Sequence, residues 1–227
     1  MVLLQERRVD VILSGPRFED RAQLARWSQE TPVFLLGRVS DTLIPSVDVD
    51  NVHAAAEAVP HLTPLGHWRI RLITNAPLSY TAGYEPWPGY RQASEESGLP
   101  YEEAWVALGA FTSASGAVAM ERLLRLPHPI TAVFVASDAV AFGALQAIRR
   151  HGLRVPQDIA TVGFDDLPLS AYVDPPLTTV RLPAGELGLH ASHLLLQWIE
   201  EGRPPTQEIR LATGLIIRQS CGAGGGA

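Results

Sequence analysis

The sequence predicts an α/β protein built on parallel sheets with helices on both faces. Strand-length apolar runs alternate with helical patterns through most of the chain. Most of those runs are apolar on both faces, as buried parallel strands are, rather than alternating. The helices between them carry start and stop signals, and repeated strand–helix–strand order joins parallel strands by crossovers.

The strands are expected, in order, at VDVIL (Val9–Leu13), VFLL (Val33–Leu36), SVDV (Ser46–Val49), RIRLIT (Arg69–Thr74), WVAL (Trp105–Leu108), TAVFVAS (Thr131–Ser137) and DIATVGF (Asp158–Phe164). Thr112 to Arg125 reads as a helix opened by Thr112 or Ser113. Asp138 to His151 is the best bounded: Ser137 or Asp138 can cap it, Val140, Ala144, Leu145 and Ile148 share a face, and Gly152 stops it. A further helix runs from about Ala184 to Glu200, closed by Gly202 and the Pro204-Pro205 pair.

Composition bounds the function. With 227 residues, 46% of them hydrophobic, the chain can bury one sizeable core or two small ones. Eighteen basic against 24 acidic residues give a net charge of -6 without a basic run, so the chain carries no footprint for nucleic acid or an anionic membrane. Cys221 is the only cysteine, which excludes an internal disulfide framework and points to a reducing compartment, the cytoplasm by default. MVLLQERRVDVILSG offers neither a signal peptide nor a membrane span. The motifs of nucleophile elbows, zinc hydrolases and phosphate loops are absent. A binding protein is therefore expected rather than an enzyme, with no cofactor and no metal.

Ligands of parallel α/β sheets sit at the carboxyl ends of the strands. Ser137 and Asp138 follow TAVFVA, Asp165 and Asp166 follow DIATVGF, Gly37 and Arg38 follow VFLL, and Gly109 and Phe111 follow WVAL. Such a set suits a polyhydroxylated or heterocyclic small molecule, because carboxylates accept hydroxyl hydrogen bonds and a ring face covers apolar C–H surface. Each residue also has a plainer reading. Asp is common in turns, Ser137 and Asp138 stand where a helix needs a cap, Phe111 can be packing, and Arg38 can be a solvated loop residue. Asp165 is the first candidate ligand contact and Ser137 the second, while Asp166 is expected to be structural and Asp138 to serve the cap.

GLRVPQDIATVGFDDLPLSAYVDPPLTTVRLP resembles the effector-binding domain of the lactose/galactose-repressor (LacI/GalR) family, whose pattern is G-x-x-V-P-x-D-I-x-V-x-G-F-D-D followed by P-P-L-T-T-V. RRVDVIL, VDVDN, LGHWRIRLI, the GY of WPGYRQA, TAVFVASDAVAFGALQAI and LIIRQS extend the match along the chain. The resemblance implies two Rossmann-like subdomains of the periplasmic-binding-protein-like type, hinged by three crossovers with a small-molecule effector between them. The crossings fall at SVDVDN, PPLTTVRLP and near Leu211. The implied boundaries are 1–48 with 183–210 for an incomplete N-terminal subdomain, 49–182 with 211–220 for the C-terminal one, and a flexible tail at 221–227. It further implies a homodimer that reaches operator DNA only through a helix-turn-helix module absent from this chain.

Two departures shape the expectation. Met1 to Arg8 matches the end of the second helix of the family's effector domain, so the N-terminal subdomain should lack strands. Pro86 stands where the family often has an arginine, three residues before the Gly-Tyr of WPGYRQA. Tyr84 and Trp87 flank it and could stack on a ligand instead. The expected effector is accordingly a sugar or related metabolite that is neutral or cationic rather than a sugar phosphate or acid.

Overall fold

In the computed structural model, residues 12–14, 21–29, 31–37, 43–76, 85–205 and 209–223 are described. Strand β1 (Ile12–Ser14) is followed by α1 (Arg21–Trp27), β2 (Val33–Leu36) and β3 (Ser46–Val49). Next come α2 (Asn51–Leu62), β4 (Ile70–Ile73), α3 (Pro86–Glu96) and β5 (Val106–Ala107). Then α4 (Ser113–Leu124), β6 (Ala132–Val135), α5 (Asp138–Arg150) and β7 (Ala160–Asp165) follow. The chain finishes with β8 (Thr178–Arg181), α6 (Ala184–Glu201), β9 (Ile209–Leu211) and β10 (Gly214–Ile216). The expected strand Val9–Leu13 is seen only from Ile12, its first three residues lying outside the described ones.

The chain forms two compact units and passes between them after Asp50, Leu182 and Ala212. The first holds a parallel sheet in the order β1-β2-β3-β9. Phe34 and Val47 pack beneath Ala191, Leu194 and Leu195 of α6, and Leu24 of α1 packs against Val33 and Leu35. The second holds a six-stranded sheet in the order β10-β8-β7-β6-β4-β5. Five of these strands are parallel, and β10 runs antiparallel along β8, pairing Gly214 with Arg181 and Ile216 with Thr179.

Four differences from the expectation have physical causes. PPLTTVRLP is not only a crossing, because its Thr178–Arg181 portion is a full strand of the six-stranded sheet. β10 is three residues long, too short for a periodic signal. Cys221, expected in a flexible tail, is fully buried, its thiol in contact with Thr178 and His61. Helix α3 is disguised by the prolines of PWPGY, which fall in its first turn, where a missing N–H breaks no helical bond.

Helices α4 and α5 approach each other through glycines. A Cβ at Gly143 would lie 1.7 Å from the Ser113 carbonyl oxygen, and one at Gly116 1.9 Å from that of Val140. Both obstacles are backbone and cannot rotate away. Gly143→Ala is therefore expected to cost about 1–3 kcal/mol, the usual penalty of overpacking, through separation of the two helices. Urea unfolding checks this, and an unchanged midpoint would contradict it.

Candidate functional site

Strands β7, β6, β4 and β5 are neighbours in the second unit and parallel. The residues at or just after their carboxyl ends therefore gather at one edge of the sheet. In that order they are Asp165, Ser137, Asn75 and Phe111. Ser137 Oγ donates to Asp165 Oδ2 at 3.0 Å. The Phe111 N–H donates to the Asn75 carbonyl oxygen at 2.7 Å, and the loop after β5 is drawn onto the loop after β4 through Gly109, whose N–H reaches Thr74 Oγ1 at 3.3 Å. A Cβ at Gly109 would meet the Thr74 carbonyl oxygen at 2.1 Å, so only glycine permits this approach.

The backbone is strained at this edge. Phe111, Asp165 and Asp166 have φ of 59°, 112° and 57°, and they are the non-glycine residues with positive φ among the described residues. Such conformations cost on the order of 1–3 kcal/mol each and gather at binding sites, where they aim side chains. Phe111 keeps 51% of its surface exposed beside the polar groups.

The two acids of GFDD have opposite environments. Burial pushes the Asp165 carboxyl up to about 7, the Ser137 hydrogen bond opposes that shift, and the nearby Asp138 charge adds to it. No cation acts on it among the described residues. Burial also pushes Asp166 upward, but hydrogen bonds from Arg218 and Arg181, at 2.6 and 2.9 Å, hold it below the usual carboxylate range. Asp166 is thus a structural ion pair at the end of β7, as expected, and Asp165 is an acid without a counter-ion.

Asp138 does not cap α5. It is fully buried, and its carboxylate accepts from Leu167 N–H (2.9 Å), Ser170 Oγ (2.6 Å) and Thr179 Oγ1 (2.7 Å). Nor does the Ser137 side chain, at the cap position, bond its own helix. It faces Asp165 instead, so the helix-start signal concealed two different roles.

Asn75 escaped the sequence reading. Its Oδ1 is buried and has no hydrogen-bond partner among the described residues. A buried acceptor left open beside a strand end is poised for a donor. The available signal was position, since Asn75 directly follows RIRLIT, but the Ala-Pro after it reads as a turn. Trp87 lies on α3 and donates its indole N–H to the Tyr101 hydroxyl, which gives it a packing role. Arg38 and Tyr84 lie outside the described residues. Pro86 is buried at the start of α3, where no guanidinium is available.

Residues 59–221 match the family described as periplasmic binding protein-like domain. The HTH-type transcriptional repressor CytR of Escherichia coli (strain K12) is 36% identical over 220 residues, which are 96% of this chain and 64% of that repressor. The HTH-type transcriptional regulator CelR of Thermobifida fusca is 36% identical over 80% of this chain and 53% of its own length. This chain thus spans less than two thirds of either regulator. Among solved structures, a transcriptional regulator CelR–cellobiose complex superposes with a TM-score of 0.88 at 33% identity, covering 96% of this chain and 68% of that one. A putative transcriptional regulator LacI from Bacillus cereus subsp. cytotoxis NVH 391-98 superposes with a TM-score of 0.90 at 29% identity, covering 97% and 79%.

Proposed function

The chain belongs to the periplasmic-binding-protein-like domain family in the form carried by LacI-type transcriptional regulators, and from that premise we propose that it senses a small-molecule effector at the carboxyl ends of β7, β6, β4 and β5. The observation that carries this reading is the row Asp165, Ser137, Asn75, Phe111. Asp165 and the open Oδ1 of Asn75 are acceptors, and Phe111 offers an exposed ring. Together they match a ligand with hydroxyl or N–H donors on one edge and apolar C–H surface on a face. Cellobiose, bound by the CelR relative, is such a molecule.

The effector is neutral or cationic. Pro86 replaces the arginine frequent in the family, and Arg181 and Arg218 are already engaged with Asp166. In the whole regulator, effector binding is coupled to operator DNA through a helix-turn-helix part of the kind named in the relatives, acting in a cytoplasmic homodimer. The relatives are regulators, which favours this role over a periplasmic carrier or a hydrolase. No described helix is long and apolar enough to cross a membrane.

Calorimetric titration against neutral mono- and disaccharides, nucleosides and phosphorylated sugars tests the proposal. Saturable binding of a neutral polyhydroxylated compound is expected. Asn75→Ala should weaken it by about 0.5–1.5 kcal/mol, the usual worth of a hydrogen bond between neutral groups. Preference for a phosphorylated sugar, insensitive to substitution of Asp165, would overturn the reading.

A further inference from the structure

At the opposite end of the six-stranded sheet, the segments entering β4, β5 and β6 enclose a groove of about 330 Å³ lined by Trp68, Arg69, Pro100, Glu102, Trp105 and His128. That volume lies in the lower part of the range for small-molecule sites. Beneath it lies an anomaly. Arg71, the second residue of β4, is fully buried in a strand whose other residues, Ile70, Leu72 and Ile73, are apolar. Its guanidinium stacks 3.5 Å from the Trp105 ring centroid and donates one hydrogen bond, from Nη2 to the His128 carbonyl oxygen at 3.2 Å. Nε and Nη1 are buried without hydrogen-bond partners among the described residues. Glu102 acts on Arg71 through its charge, yet it is exposed on the rim and forms no ion pair with it among the described residues.

A buried guanidinium with two open donors is costly unless an acceptor completes it. Trp105, which stacks on the Arg71 guanidinium, and His128, whose carbonyl oxygen accepts from it, both line the groove. Arg69 repeats the arrangement closer to solvent, its guanidinium 3.9 Å from the ring centroid of Trp68, which is 50% exposed. The guanidiniums of Arg69 and Arg71 against the single carboxylate of Glu102 leave an excess of positive charge, the complement of a monoanion. Trp68 supplies an exposed flat apolar face, and the buried Trp105 ring lines the groove beside it.

We propose that this groove binds a small aromatic carboxylate, its ring against Trp68 and Trp105 and its carboxylate on Arg71. Carboxylate and guanidinium form charge-assisted hydrogen bonds that the buried position strengthens. The groove lies at the amino ends of the strands, so its ligand binds independently of the edge that holds Asp165.

Benzoate is the probe, followed on the indole N–H signals of the ¹⁵N-labelled chain, with Trp68→Phe and Trp105→Phe supplying the assignments. Saturable shifts of Trp68 and Trp105 are expected, with benzyl alcohol and acetate each at least about tenfold weaker because each lacks half of the recognition. Trp68→Ala, a surface change, should weaken benzoate about tenfold while leaving any effector titration as it was. Arg71→Met should abolish benzoate binding, and if that variant does not fold, Trp68→Ala together with the benzyl alcohol comparison decides. Absence of saturable shifts, equal binding of benzyl alcohol, unchanged affinity in Trp68→Ala, or retained binding in folded Arg71→Met would each overturn the proposal.

Discussion

Asp138→Ala is expected to destabilise the chain by about 3–5 kcal/mol, the range for breaking a buried charged network. The carboxylate is the hub that joins the start of α5, the loop after β7 and strand β8. It accepts from the Leu167 N–H, from Ser170, which is fully buried, and from Thr179, also fully buried. Burial pushes its own pKa up and the three hydrogen bonds push back, so its removal relieves one desolvation and leaves three donors without an acceptor. The second effect wins because each stranded donor costs about 1–3 kcal/mol. Gly163 belongs to the same device, since a Cβ there would lie 2.1 Å from Asp138 Oδ1. Asp138→Asn should recover shape but not sign, as an amide N–H would face a donor, and it should lie between wild type and alanine. Urea unfolding with an unchanged slope reads these differences. A loss below about 0.5 kcal/mol for Asp138→Ala would show that the network is ornamental.

The contrast between Asp138 and Asp165 shows what a sequence can carry. Doubly apolar runs such as AVFV and ATVGF announced buried parallel strands, and a rule of topology then put the polar residues after them at one edge. That reasoning put Asp165, Ser137 and Phe111 at the carboxyl ends of neighbouring strands. It could not tell that Asp138 faces inward instead of capping α5, because Asp138 stands at a strand–helix junction where a cap is the ordinary reading. The answer depends on Ser170 and Thr179, which are 32 and 41 residues from Asp138 in sequence. Long-range partners of that kind leave no local pattern. Arg71 was hidden for a related reason: within RIRLIT its neighbours set the strand signal, and only the packed fold reveals that its donors lack acceptors.

Asp165→Asn is expected to make the ligand-free chain more stable and a poorer sensor. Burial raises the Asp165 carboxyl from its ordinary 3.8 to about 7. An acid raised on folding binds its proton more tightly in the native state, so native stability is highest below the unfolded pKa and is lost as pH climbs through the folded one. That rise corresponds to ~4 kcal/mol in a fully buried group. Because the carboxyl keeps part of its surface in water, the realised gain of asparagine over the carboxylate at pH 8 should be about 1–3 kcal/mol. At pH 4, where the native carboxyl is already protonated, asparagine should bring nothing. Binding runs the other way. An effector that donates hydroxyl or N–H groups prefers the carboxylate, so its affinity for the wild-type chain should rise up to about tenfold per pH unit toward 7 and level off above it. The asparagine chain should show a flat profile, and Asp165→Ala should bind about 10- to 150-fold more weakly at pH 8, the loss of a charge-assisted hydrogen bond of 1.5–3 kcal/mol. Thermal unfolding at pH 4 and pH 8, with titrations of the bound effector across that interval, decides the matter. An asparagine chain less stable than wild type at pH 8, or a wild-type affinity indifferent to pH, would mean that Asp165 holds the fold rather than the ligand. If both signs are as expected, the cost of an uncompensated acid in the free chain is what the effector relieves on binding.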